Sequence, residues 1–324
     1  MKDGTVISDA NIDVSLIMPT FNKENRLKLM LASLKNLKHT GNLEVIIVND
    51  GSTDNTQSIL EEFSRDARVN GTLQVNIINI KNSGRSIARN IGIQASRGRL
   101  IIFSDDDLLL DPMFIYAHQK IHDSDANLVV HGIIYSLPHL KFFKDPSTGI
   151  LYDGGIASSL LMSKSIMPEL ICSNGLEKYL SDNARISKFE KDINSLYKGT
   201  SIEDSYVRWV GFNGGNVSVL KSNLEKVGLF DVAMGKKWGC EDLELGYRLY
   251  KAGLSFRYCE TSKNYHLNHY REGFIETHNS SMDYFIQKHN DESIKLLNDY
   301  FNNDLASLND WKVKVDKFWA CKPL

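Results

Sequence analysis

Four apolar runs of strand length, each followed by apolar residues at helical spacing, occupy the first ~110 residues, and that alternation restricts the fold more than any other feature. The runs are Val14 to Met18, Leu43 to Val48, Val75 to Ile80 and Leu100 to Phe103. Leu27, Met30, Leu31 and Leu34 follow the first, which Pro19 is expected to stop; Ile59, Leu60 and Phe63 follow the second. Ile87, Ala88, Ile91 and Ala95 follow the third, with Ser86 as the candidate helix cap. Short connections between such units favour right-handed crossovers, so an α/β fold is expected, with a Rossmann-like, mostly parallel sheet flanked by helices.

Asp105, Asp106 and Asp107 stand at the end of the fourth run. Three adjacent carboxylates at the tip of a buried strand repel one another unless a cation lies among them. Ligands of open α/β sheets bind at that end of the strands, and hard divalent cations take oxygen ligands completed by phosphate. The competing reading is an acidic loop in which Asp107 caps a helix beginning near Pro112.

Net charge is -2, with 38 Lys and Arg against 40 Asp and Glu. This leaves no electrostatic footprint for nucleic acid and no broad polybasic membrane surface. Cys172, Cys240, Cys259 and Cys321 form no CxxC pair, so neither a zinc site nor a disulfide framework is indicated. Residues 1–13 lack an apolar signal core, and a cytoplasmic protein is expected, with the inner face of the membrane as its second candidate location.

After a strand near Asn127 to Tyr135, the alternation fails, and 136–205 read as a variable insertion of helices and loops, the expected acceptor region. Phe212 to Leu220 read as a Gly-kinked turn and strand; a helix follows from near Asp242. Residues 276–324 form a helical extension rich in aromatics, among them Tyr284, Phe285, Trp311 and Trp319. It is expected either to pack back on the main unit, 1–275, or to make a peripheral membrane or homo-oligomer contact.

Five motifs occur in order: Pro19-Thr20-Phe21-Asn22, Val48-Asn49-Asp50-Gly51-Ser52, Asn82-Ser83-Gly84-Arg85, the aspartate triplet, and Trp238-Gly239-Cys240-Glu241-Asp242. Together they resemble family 2 glycosyltransferases of the GT-A fold over roughly residues 14–270. The C-terminal half is also similar to chondroitin-polymerase-like and polypeptide N-acetylgalactosaminyltransferase-like enzymes. The resemblance implies a UDP-sugar donor, a Mn2+ or Mg2+ ion, and a glycan, lipid-linked or protein acceptor.

Residue by residue, it implies a base site of Pro19, Thr20, Phe21 and Asp50, with Arg85 near the base or phosphates. Arg89 is the candidate structural ion-pair partner. Asp105 and Asp107 would meet the metal and Asp106 the ribose or an outer-shell water. His266, 24 residues after Asp242, is the third expected ligand, and His269 competes with it. Asp242 would be the general base and Glu241 a contact to donor or acceptor. Gly214 and Gly215 would let the sugar approach the backbone, or form only a bulge, while Trp238 would stack a ring, or be an ordinary buried aromatic. Lys236, Lys237 and Arg271 are candidate diphosphate contacts or exposed charges.

Cys240 replaces a glycine common in the last motif, and Asp242 replaces the asparagine of the retaining polypeptide transferases, which implies inversion. A sugar-phosphate nucleotidyltransferase would need a Gly-rich basic loop after the first strand, where this chain has Pro19-Thr20-Phe21-Asn22. A nucleotide-sugar-binding module without catalysis is the other alternative.

Overall fold

A computed structural model describes residues 12–70, 73–123, 125–236, 239–271 and 273–320. The alternation becomes β1 (Val14–Thr20), α1 (Glu24–Leu34), β2 (Leu43–Asn49), α2 (Thr56–Asn70), β3 (Gln74–Asn79), α3 (Arg85–Ala95) and β4 (Leu100–Phe103). β1, β2 and β4 are buried throughout, as parallel strands covered on both faces must be, whereas β3 is partly exposed at the edge. Pro19 does not stop β1. It faces the β4 side, two residues past Ile17, the last β1 residue paired with β4, so its missing N–H removes no ladder bond. Nor does Ser86 cap α3. Gly84, at φ +96°, precedes the helix, and Ser86 is buried inside its first turn.

The chain continues through β5 (Leu108–Leu110), α4 (Phe114–His122) and β6 (Leu128–Ser136). The insertion holds the hairpin β7 (Phe143–Asp145) and β8 (Ile150–Leu151), then α5 (Ser159–Met162), α6 (Pro168–Ile171), α7 (Gly175–Asn183), β9 (Arg185–Ile186), α8 (Lys188–Lys198) and α9 (Ser205–Arg208). After it come β10 (Val217–Leu220), α10 (Lys221–Val227), α11 (Glu241–Lys251) and β11 (Ser255–His266). Three helices follow, α12 (Phe274–His289), α13 (Glu292–Phe301) and α14 (Leu308–Ala320).

Among the described residues, the main sheet has nine strands in the order β3-β2-β1-β4-β10-β6-β11-β5, with β9 added to β6. β1 to β4 pair in parallel, while β10 runs antiparallel between β4 and β6. β11 is parallel to β6 and antiparallel to β5. Neither β5 nor β11 was expected. β5 has only three residues, and β11 carries Arg257, Glu260 and Lys263 among its apolar positions, which blurs the period of two.

Alternate strand residues serve opposite cores. Leu16 and Met18 pack with Leu27, Met30, Leu60 and Phe114 on one face. Ile17, Phe103 and Val217 pack on the other with Phe285, Leu297 and Trp311 of the last three helices. Phe285, Tyr300 and Trp311 of those helices thus lie in the main core, although Tyr284 and Trp319 are exposed. No helix of the described residues is long and apolar enough to cross a membrane. Cys172, Cys240 and Cys259 are free thiols, and Cys321 lies outside the described residues.

Candidate active site

Two cavities adjoin at the C-terminal ends of the parallel strands, sharing Arg85, Asp105 and Arg271 in their walls. The first, about 820 Å3, is lined by Pro19, Thr20, Phe21 and Asp50 on one side and by Asp106, Asp107 and His269 on the other. The second, about 800 Å3, contains Glu241, Asp242, Gly215 and His266. The expected site residues that are described therefore gather in one region. Trp238 and Lys237 lie outside the described residues.

At the base end, Phe21 is 43% exposed and free to offer a ring face to a planar ligand. Asp50 is buried, and its oxygens accept from the backbone N–H groups of Ser83 (2.7 Å) and Gly84 (2.9 Å). Its first role here is thus to hold the 82–84 loop against the end of β2. Gly84 is required at that place, since a Cβ would stand 2.3 Å from the Gly235 carbonyl oxygen.

The aspartate triplet divides three ways. Asp105 Oδ1 pairs with Arg89 Nη2 at 2.9 Å, away from the Asp107 cluster where it was expected to serve as a ligand. The physical reason is Arg89: only 1% exposed, its guanidinium must place its N–H donors on protein acceptors, and Nη1 meets Glu241 (3.0 Å) while Nη2 meets Asp105. Asp106 accepts from the Thr20 hydroxyl at 2.6 Å, and burial beside Asp107 and Asp105 pushes its carboxyl up to about 7. Asp107 is also buried, but Lys23, His266 and His269 outweigh desolvation and hold it well below the usual carboxylate range.

Asp107 is the centre of a cation-seeking cluster. Lys23 Nζ lies 3.2 Å from Oδ2, His269 Nε2 3.0 Å, Arg271 Nη2 3.6 Å, and His266 Nε2 3.6 Å from Oδ1. Antiparallel pairing of β5 with β11 sets His266 opposite Leu108, and Leu267 N–H donates to the Asp107 carbonyl. Arg26, buried in α1, donates to the carbonyls of Leu267 (2.9 Å) and Asn268 (3.0 Å) and so fixes the segment between His266, at the end of β11, and His269. Asp107, His266 and His269 place one ligand atom each within 4.8 Å of one another. His266 and His269 were competing expectations, yet both reach Asp107.

This donor set fits a divalent cation. His269 Nδ1 lies 2.8 Å from the Tyr270 carbonyl oxygen, which can only accept, so the ring proton belongs on Nδ1. Burial keeps the imidazole below its ordinary value, hence neutral, and Nε2 presents a lone pair. Two acceptors, Nε2 and Asp107 Oδ2, then face each other at 3.0 Å and require a positive charge between them. Lys23 Nζ, 2.5 Å from Nε2, now supplies it. Asp107 Oδ1 is buried with no hydrogen-bond partner among the described residues.

On the other side of Asp105, a left-handed pair, Gly239 at φ +106° and Cys240 at φ +65°, turns the chain into α11. The turn delivers Glu241 and Asp242 at the helix start, where free N–H groups favour carboxylates. Glu241 is buried; Arg85 (3.1 Å) and Arg89 overcome its desolvation and lower its pKa. Arg85, expected near the base or phosphates, thus also braces Glu241. Asp242 accepts from Leu243 N–H (2.9 Å) and Gly214 N–H (3.4 Å), while burial and the Glu241 charge push it up to about 6. Gly214 packs against the guanidinium of Arg89, where a Cβ would lie 2.4 Å from Nη2, so it is needed for that ion pair rather than for a bulge alone.

Residues 15–171 match the sequence model of glycosyl transferase family 2. The uncharacterized glycosyltransferase YfnE of Bacillus subtilis is 31% identical over 79% of this chain and 64% of its own length. Over residues 15–171, just under half of its length, the chain is similar to glycosyl transferase family 2. Chondroitin synthase of Escherichia coli is 29% identical over 78% of this chain and 34% of its own length, so the chain spans less than two thirds of either relative. The fold is GT-A. It aligns with a structure of GalNAc-T7 containing UDP, GalNAc and Mn2+ at TM-score 0.53 and 16% identity, over 86% of this chain and 48% of the other.

Arg89, expected as a structural ion-pair partner, is one, between Asp105 and Glu241, whereas Lys23 beside Asp107 and Arg26 beneath the histidine loop were not among the expected site residues. Nothing local marks Lys23 or Arg26, whose partners lie 84 and 241 residues away.

Proposed function

We propose that this chain is a metal-dependent, inverting glycosyltransferase that moves a hexose or N-acetylhexosamine from a UDP-sugar to a hydroxyl acceptor. The observation that carries the reading is the pair of adjoining cavities, with Asp107 and His269 lining one, Asp242 and His266 lining the other, and Asp105 in the wall of both, while Asp107, His266 and His269 converge between them. The presence of UDP and Mn2+ in the GalNAc-T7 structure supports the donor and metal assignment.

Asp107, His266 and His269 would hold Mn2+ or Mg2+. When bound, such an ion neutralises the diphosphate as it leaves. Lys23 and Arg271, beside the same cluster, are placed to take up phosphate oxygens, and Phe21 to cover the uracil. Asp242 accepts the proton of the attacking hydroxyl while the anomeric carbon exchanges its bond to phosphate oxygen for one to acceptor oxygen. Attack opposite the leaving group inverts that carbon. Burial and the neighbouring Glu241 charge raise the proton affinity of Asp242, against the opposing pull of Arg89.

Thermal-shift measurement tests the donor assignment. UDP with Mn2+ should raise the melting temperature more than UDP alone, and more than GDP or TDP with Mn2+; at one hundred times its dissociation constant a ligand adds about 2.7 kcal/mol. Equal shifts with and without metal would remove metal from the proposal. The pH profile supplies a second check. Because Asp242 works deprotonated and its pKa is raised to about 6, kcat/KM should be level above pH 7 and halve near pH 6, falling about tenfold per unit below. An acid limb centred near pH 4 would mean that another group is the base.

A further inference from the structure

The second cavity extends well beyond Asp242, to two elements that sequence reading places in the insertion and the C-terminal extension. β9 pairs with the end of β6, Ile186 opposite Tyr135, and this sets the start of α8 in the cavity wall. The end of α13 forms the adjoining wall, tied to α8 by a hydrogen bond from Tyr300 Oη to Asp192 Oδ2 at 2.9 Å. Phe189 of α8 and Phe301 of α13 stand with ring centroids 6.0 Å apart and planes tilted by 35°, both half-buried. His278 of α12 meets the Phe301 ring at 4.8 Å. Around these rings the lining turns polar, with the exposed amides of Asn279 and Asn302 and the ammonium of Lys188.

We propose that this wall is a subsite for an oligosaccharide acceptor, in which Phe189 and Phe301 carry the ring next to the one that reacts. The inference rests on the assignment of Asp242 as base and specifies the substrate class of the same site. A sugar ring has an apolar C–H face and a hydroxyl rim, and fixed aromatic rings edged by amides match both. The volume, about 800 Å3, lies in the upper part of the range for small-molecule sites and accommodates more than one ring. A lipid tail would need a continuous apolar lining, which Lys188, Glu190 and the asparagines interrupt. An extended peptide would need a free strand edge. None is offered by β6 there, since Tyr135 is already paired with Ile186 on one side and Tyr265 on the other. Because Tyr300 and Asp192 lock α8 to α13, the platform is formed before ligand arrives and little ordering is needed on binding.

The test uses Asp242→Asn protein, with UDP and Mn2+ present, on an array carrying mono- to tetrasaccharides, glycopeptides and phospholipid-linked sugars. Retention of glycans of two or more rings, without retention of single rings, is expected. Phe301→Leu, which keeps apolar volume but removes the ring face, and the surface change Asn302→Ala should each weaken that retention at least tenfold while the UDP-dependent thermal shift persists. Binding of peptide or lipid conjugates irrespective of glycan length would overturn the subsite, as would glycan binding untouched by both variants. So would UDP binding with no glycan retained, which leaves the donor reading standing. Loss of the UDP shift already in the parent protein would instead remove the donor reading and this inference with it.

Discussion

Asp242→Asn is expected to lower sugar transfer by about 10^2- to 10^4-fold while UDP-sugar binding stays within a few-fold of the parent. The side chain is isosteric, its carbonyl oxygen can still accept from Leu243 N–H as Oδ1 does, only the longer 3.4 Å contact of Gly214 N–H with Oδ2 is given up, and the turn at Gly239 and Cys240 is untouched. What is lost is proton acceptance. Removing a negative charge beside Glu241 also relieves repulsion, so stability should not fall. Kinetics under saturating donor, paired with isothermal titration of the nucleotide sugar, would read the two effects separately. A variant that transferred sugar at the parental rate would exclude Asp242 as the base.

Asp107→Ala should abolish the metal-dependent part of the UDP thermal shift, a fraction of the total of about 2.7 kcal/mol that a ligand adds at one hundred times its dissociation constant. Asp107 is the member of the cluster that both histidines approach, so without it His266 and His269 have no shared anion to close around a cation. The unliganded protein should be destabilised as well, because Lys23 and Arg271 lose their counter-charge. Asp107→Asn separates the two effects: it keeps volume and hydrogen bonding but not charge. Its melting should be nearer the parent while its metal increment stays absent. If Mn2+ still enhanced UDP binding to either variant, the metal would have to be held elsewhere. Asp105→Ala is the informative contrast. Since Asp105 is turned toward Arg89, its loss would act on the Glu241 ion pair before it acted on the cation.

Much of this architecture was legible along the chain. The strand runs, the helices between them and the ends on which the motifs sit follow from periods of two and 3.6 and from Gly, Pro and Asp at the breaks. Pro19 and Ser86 misled for a shared reason: each obeys a local rule whose outcome depends on whether a neighbouring strand or helix turn needs the group in question. The segment Leu108–Leu110 gave no strand signal because three residues cannot display a period.

Local order along the polymer determined that this protein would be a βα-alternating sheet with carboxylates at one strand tip and at one helix start, since those features need only neighbours in sequence. Tertiary structure alone decided how the charges pair. Which aspartate meets Arg89, which meets both histidines, and which shares a proton with Thr20 depend on contacts between residues 16, 86 and 162 positions apart. Those contacts are set by strand register and burial, and the free energy of a buried charge is decided by whatever counter-charge the fold brings to it.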